Sequence, residues 1–180
     1  MVSPSRRALV DELARHDRLV EVGVGDRPAV SRALAERGCR VVAVDVEPGD
    51  RTRAAARETR DGAVAGSLRV RRGDVLALAD QGGEGGLGPL TGAASEDGDA
   101  VDAVYACHLP AELQRPTVTL ADRLDAVCVF TTLGFEEPIV PVRRRSGGGS
   151  ALYVARDGHG DVNRSSGPER DGRDRSSDPE

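Results

Sequence analysis

Residues 19–46 constrain the fold of this chain more than any other segment. Leu19-Val-Glu-Val22 is a short run, mostly apolar, and Gly23-Val-Gly25-Asp26-Arg27 follows it as a turn. Pro28 then opens a stretch in which Val30, Ala33 and Leu34 recur at helical spacing until Gly38. Proline suits the first helical position, where its missing N–H has no intrahelical partner, and Asp26 stands near the N-cap. Val41-Val-Ala-Val-Asp45 is a second apolar run, closed by a carboxylate. Such a run fits a parallel strand buried on both faces. Strand, glycine turn, helix and strand thus form one unit. Glycines let the chain bend tightly and let a ligand approach the main chain, while the helix start beyond offers free N–H groups and a positive dipole end. A carboxylate about twenty residues later can accept hydrogen bonds from both hydroxyls of a ribose. The unit is suited to an adenosine-containing cofactor.

The remaining chain extends this pattern. Ser5 can cap a first helix reaching His16, with Ala8, Leu9 and Leu13 as its apolar stripe. Residues 51–60 predict a polar helix with little to bury, and Leu68-Arg-Val70 a short strand ending near Gly73-Asp74. Residues 81–99 are glycine-rich and predict a flexible insertion. Val101–Tyr105 is a fourth strand. A helix starts at Pro110, is interrupted at Pro116 and continues through Leu124, and Ala126–Phe130 is a fifth strand. Ile139–Val142 and Ala151–Ala155 flank Ser146-Gly-Gly-Gly-Ser150 as an antiparallel hairpin. Residues 156–180 carry one aliphatic side chain, Val162, and predict a disordered charged tail. The fold class expected is α/β, a doubly wound, mostly parallel, Rossmann-like sheet with a C-terminal antiparallel hairpin, formed by a single domain over residues 1–155. Ligands of such sheets bind at the carboxyl ends of the strands. That rule gathers Gly23–Pro28, Asp45, Asp74 and Tyr105–Pro110 around one crevice.

Composition narrows the classes. Aromatic residues are 2%, so the core must be aliphatic. The longest apolar runs are strand-sized, too short to cross a bilayer, and no apolar stretch follows Arg6-Arg7, so no secretory signal is expected and the chain is expected to be cytoplasmic. Cys39, Cys107 and Cys128 are scattered, which argues against a zinc site or a disulfide framework and for small core or pocket residues. The net charge is −5 and every basic residue except histidine is Arg. This composition resembles that of halophilic archaeal proteins; a GC-rich genome would also favour it. A net acidic chain is a poor general binder of nucleic acid. Two arginine clusters, Arg69/Arg71/Arg72 and Arg143–Arg145, leave RNA open as a partner.

The cofactor follows from the turn. A dinucleotide fingerprint wants a small residue at its third position, where this chain has Pro28. Glu21, two residues before the first glycine, makes the segment resemble motif I of class I S-adenosylmethionine (SAM) methyltransferases. That resemblance implies that Glu21, Gly23 and Gly25 lie near the methionine part of SAM, Asp45 at the ribose and Asp74 near the adenine. It also puts Val101–Pro110 beside the methyl-transfer centre, with Tyr105 and His108 as candidate catalytic residues, His108 as a base near neutral pH. Arg27 departs from motif I, which has glycine there, and the proline-rich motif IV of amino-methylating enzymes is only partly present. Val-Glu-Val-Gly-Val-Gly-Asp-Arg-Pro, Val-Ala-Val-Asp-Val, Leu-Pro-Ala-Glu-Leu-Gln and Thr-Leu-Gly-Phe-Glu-Glu-Pro are together similar to a small uncharacterised archaeal protein family with a methyltransferase-like Rossmann fold. The resemblance covers roughly residues 5–155 and implies a SAM-binding, methyltransferase-like protein of unassigned substrate. The alternatives are an NAD(P)-binding protein and a non-catalytic Rossmann scaffold.

Overall fold

The short apolar runs become the middle of a seven-stranded sheet, and the amphipathic segments between them cover its faces. In the computed structural model, which describes residues 4–62, 64–80, 100–134, 136–147 and 150–157, the strands are β1 (Arg18–Val22), β2 (Arg40–Asp45), β3 (Ser67–Arg72), β4 (Ala103–Leu109), β5 (Val127–Thr132), β6 (Arg143–Gly147) and β7 (Ser150–Arg156). The helices are α1 (Pro4–Leu13), α2 (Ala29–Glu36), α3 (Asp50–Arg60), α4 (Val75–Asp80) and α5 (Ala111–Arg123).

The strand order is β3-β2-β1-β4-β5-β7-β6. β1 to β5 pair in parallel, and β7 runs antiparallel to both β5 and β6. Chain order reverses between β1 and β4, which creates the switch point where such sheets open a crevice. This is the expected Rossmann-like sheet with antiparallel C-terminal strands.

Alternation along β1 shows how the two faces are filled. Leu19 and Glu21 point to a core that contains Leu9, Leu13, Leu34 and Val41, whereas Val20 and Val22 point to one that contains Val104, Leu120 and Phe130. Removing one such leucine from water contributes roughly 1.5–3 kcal/mol, so both cores together hold the sheet between its helices.

Several elements differ from the sequence expectation for identifiable reasons. α3 buries more than its composition suggests, because Thr52, Ala55, Ala56 and Thr59 form a stripe of small side chains against the sheet. α5 runs through Pro116 without interruption. One proline costs an intrahelical bond, but the buried stripe of Gln114, Thr117, Leu120 and Ala121 holds the helix on the sheet. The hairpin's first strand is Arg143–Gly147 and not Ile139–Val142. β6 is the last strand of the sheet and has a single strand partner, so it has no need of an apolar sequence, while Val140 and Val142 pack against the core from the preceding loop. β7 includes Arg156, where the charged tail was expected to start. Its guanidinium donates to Ala126 O at 2.7 Å and pairs with Asp122 at 3.1 Å. The glycine-rich segment 81–99 and residues 158–180 lie outside the described residues.

Candidate functional site

The glycine turn is strained in a way only glycine relieves. Gly23 has φ +73° and Gly25 has φ +51°, the left-handed region that residues with a Cβ avoid. A Cβ built on either would meet nothing within 4 Å, so the space over the turn is open. Arg27, the departure from a small-residue motif, is exposed and leaves that space free.

From below, the turn is clasped by the next βα connection. Gly23 N–H donates to Val44 O at 2.9 Å, and Gly49 N–H donates to Gly25 O at 2.9 Å. The Thr52 hydroxyl donates to the same Gly25 oxygen at 2.8 Å. Asp26 accepts the Arg51 N–H at 2.7 Å and thereby caps α3, whose own N-cap residue, Gly49, has no side chain. Asp26 therefore serves α3 and not α2. The N-cap of α2 is Pro28, which makes no side-chain cap bond.

The strand-end acids differ in their surroundings. Asp45 is half-buried; its Oδ2 accepts Gly25 N–H at 2.8 Å and its Oδ1 accepts Glu47 N–H at 2.8 Å. A carboxylate has about four acceptor positions, so two remain for a ligand. Asp74 is exposed and accepts Leu76 N–H at 2.9 Å, as a residue capping the start of α4 does.

Glu21 and Tyr105 belong to a different group. They are register partners on β1 and β4, they are 1% and 0% exposed, and the Tyr105 hydroxyl donates to Glu21 Oε2 at 3.0 Å. The Ser31 hydroxyl of α2 donates to the same oxygen, and the Cys107 thiol also bonds the carboxyl group. Burial pushes the Glu21 carboxyl up to about 7, against the opposing pull of these three hydrogen bonds. Burial also pushes the Tyr105 hydroxyl and Cys107 thiol well above their usual ranges. The structure thus joins Glu21 to Tyr105, Ser31 and Cys107 inside the sheet's α2 face, while Gly23, Gly25 and Asp45 meet at its carboxyl edge.

His108 sits at that edge. It is exposed, and its φ of 56° makes it one of two non-glycine residues with positive φ among those described. A register shift between Ala106 and Leu109 accommodates it, and its N–H donates to Thr131 Oγ1 at 2.8 Å. Such local strain is characteristic of functional positions. Nearby on α5, buried Gln114 accepts Ile139 N–H at 2.7 Å, and its Nε2 has no partner among the described residues.

The sequence reading missed one feature of this edge. The exposed large hydrophobic residues among those described are Val46, Leu76, Leu133 and Ile139, and all four follow the carboxyl ends of β2, β3 or β5. Single exposed apolar residues are ordinary; Val46 and Leu133 directly follow strand ends, Leu76 lies in the first turn of α4 and Ile139 in the loop before β6. The available signal was an aliphatic residue directly after a strand-end acid, as in Asp45-Val46.

Comparison with known proteins agrees with this architecture. The profile of a family described as "Uncharacterised protein family (UPF0146)" matches residues 5–77. The UPF0146 proteins of Halobacterium salinarum strains R1 and NRC-1 are each 40% identical over 158 residues, covering 87% of this chain and 99% of the relative. Among solved structures, Sp1610 of Streptococcus pneumoniae, a candidate tRNA methyltransferase, superposes with a TM-score of 0.53 at 17% identity, over 91% of this chain and 74% of that one. A protein of the NADB-Rossmann superfamily from Streptococcus agalactiae gives 0.53 at 16% identity, over 91% and 72%. At these identities the likeness is one of fold.

Proposed function

We propose that this chain, which belongs to the uncharacterised protein family UPF0146, binds S-adenosylmethionine at the carboxyl edge of its sheet and is a methyltransferase of unassigned acceptor. The observation that carries this reading is the open, left-handed turn at Gly23 and Gly25, held by Asp45 with acceptor positions to spare. A ligand laid over the turn meets main chain on one side and the Asp45 carboxylate beyond it, where ribose hydroxyls would donate. Val46, just after β2, and Leu76, in the first turn of α4, offer apolar surface to an adenine ring, and Asp74 offers it an acceptor. Glu21 is buried and hydrogen-bonded to Ser31 and Tyr105, so in this reading it acts on the site through that cluster. Tyr105 is in this reading a positioning residue, and His108 is the exposed group able to take a proton from an acceptor.

SAM supplies the electrophilic methyl group when bound. What the protein must add is placement of a nucleophile in line with that methyl, and positioning alone can account for much of a rate enhancement. Titration calorimetry with SAM and S-adenosylhomocysteine is the direct test. Micromolar binding is expected, weaker by an order of magnitude or more in Asp45→Ala; no heat at millimolar ligand with folded protein refutes the reading. NAD and NADP in the same titration test the dinucleotide alternative. The scaffold alternative requires a blocked groove, and the open space over the turn speaks against it.

A further inference from the structure

Gln114 is 0% exposed, and among the described residues its Nε2 is the buried side-chain polar atom left without a partner. Its Oε1 accepts the Ile139 N–H at 2.7 Å. Because that partner is a donor, the oxygen must face it, and the two N–H bonds of Nε2 are the ones left over. A buried donor without an acceptor costs more than a made hydrogen bond contributes, and an apolar side chain of the same shape would avoid that cost. The bond to Ile139 accounts for the oxygen and leaves the nitrogen unexplained.

The fold puts this amide at the carboxyl edge of the sheet. Pro110 is the N-cap of α5 directly after β4, and Gln114 heads the buried stripe that continues through Thr117, Leu120 and Ala121. Other polar groups of this region are engaged: the Thr117 hydroxyl donates to Leu113 O at 2.7 Å, and Thr131 Oγ1 accepts the His108 N–H. The amide is planar, so with Oε1 on Ile139 the nitrogen lies beside the same loop. Ile139 is itself exposed, as are Glu136 and Glu137 before it, so on that side Gln114 is covered by a residue at the surface. His108 ends the same strand that leads into α5. The exposed group able to take a proton and the unpaired donor therefore stand on either side of one strand–helix junction.

We infer that Gln114 Nε2 donates to a neutral carbonyl oxygen of the methyl acceptor, so that the acceptor is an amide-like molecule held where β4 passes into α5. Neutrality follows from the surroundings. No basic side chain is among the buried residues described, so a carboxylate or phosphate drawn in beside Gln114 would be buried without a counter-charge. The exposed charges of the two segments that bracket it, Glu112 and Arg115 on α5 and Glu136 and Glu137 in the loop, have an acidic balance that also disfavours an anion. The inference rests on the cofactor reading for calling the ligand a methyl acceptor, and not for the carbonyl site itself.

Side-chain amide signals in proton–nitrogen spectra of the full chain test it. The chain has two glutamines and one asparagine, Gln81, Gln114 and Asn163, so the Gln114 pair is identified by its loss in Gln114→Met or Gln114→Glu. The probe is N-acetylglycinamide, a small neutral carbonyl compound. It is expected to shift the Gln114 pair saturably, with a Kd of about 10 mM for so small a ligand, and to leave the pairs of Gln81 and Asn163 in place. Sodium acetate and sodium phosphate at equal ionic strength should leave all three unmoved. Backbone signals report probe binding to Gln114→Met, which should be about tenfold weaker. The inference is overturned if the Gln114 pair stays still at about 100 mM probe, if acetate or phosphate moves it as far, or if Gln114→Met binds the probe within twofold of wild type. Titrating SAM into the same samples separates the two readings. A shifting Gln114 pair in protein that binds no SAM refutes the cofactor reading and leaves the carbonyl site; SAM binding with an unresponsive Gln114 pair refutes the carbonyl site alone.

Discussion

Asp45 Oδ2 accepts the Gly25 N–H at 2.8 Å, so the acid proposed to hold the ribose also holds the turn over which the ligand would lie. The same carboxylate ties down Glu47 through Oδ1. Asp45→Ala should therefore show two effects at once. Hydrogen bonds to a charged group contribute ~1.5–3 kcal/mol each when buried, and half-buried Asp45 should cost about 1–2 kcal/mol of stability. Urea unfolding measures that loss, and calorimetry measures the fall in SAM affinity. If affinity is unchanged while stability falls, Asp45 is a structural clasp only.

Gly25 and Gly49 separate ligand approach from folding. At Gly25 a Cβ meets open space, but the left-handed backbone costs about 1–2 kcal/mol for any L side chain. Gly25→Ala should fold with a modest loss of stability and bind SAM at least about tenfold more weakly, since the methyl fills the space over the turn. At Gly49 a Cβ would lie 2.3 Å from Asp26 Oδ1. Gly49→Ala must displace Asp26, uncap α3 and cost ~1 kcal/mol or more. Thermal unfolding of both variants beside their SAM titrations checks the contrast; Gly25→Ala binding SAM as tightly as wild type would contradict it.

Glu21 should make stability depend on pH in an unusual direction. Its folded value, raised by burial to about 7, exceeds the ordinary 4.5. The folded state therefore binds the proton more tightly than the unfolded chain does. Stability from this group is fully present below about pH 4.5, declines as pH rises towards 7 and stays at its reduced level above, a change of about 3 kcal/mol at most. Glu21→Gln removes the titration. The difference in unfolding free energy between wild type and variant should shift in the variant's favour from pH 5 to pH 8, and parallel curves would rule out a raised value.

Arg156 fastens β7 to the connection between α5 and β5. Its side chain is 20% exposed, donates to Ala126 O at 2.7 Å and pairs with Asp122 at 3.1 Å and with Asp125. Arg156→Lys keeps the charge but loses the planar fork. A loss of about 1–2 kcal/mol is expected in urea unfolding; a change under about half of that would mean the fork is immaterial.

How much of this was legible beforehand differs from element to element. Local pattern sufficed for β1, the glycine turn, α2 and β2, because strands buried on both faces read as mainly apolar runs and a left-handed turn favours glycine. The Rossmann-like sheet followed from strands alternating with helices. β6 was illegible, since an edge strand of Arg143-Arg-Arg-Ser-Gly147 has no apolar periodicity to betray it. Pro116 pointed to a break that helix packing overrode.

The candidate site divides along the same line. Sequence by itself determined that Gly23, Gly25 and Asp45 would converge, because each follows or ends a strand and parallel strands bring their carboxyl ends to one edge. Only the tertiary structure decided that Glu21 and Tyr105 face each other inside the sheet, because register between β1 and β4 depends on how the two strands pair and not on either strand's own residues. It decided as well that one arginine cluster is paired within the molecule, because Glu12 and Asp157 reach Arg145 and Arg143 from distant or turned segments of chain.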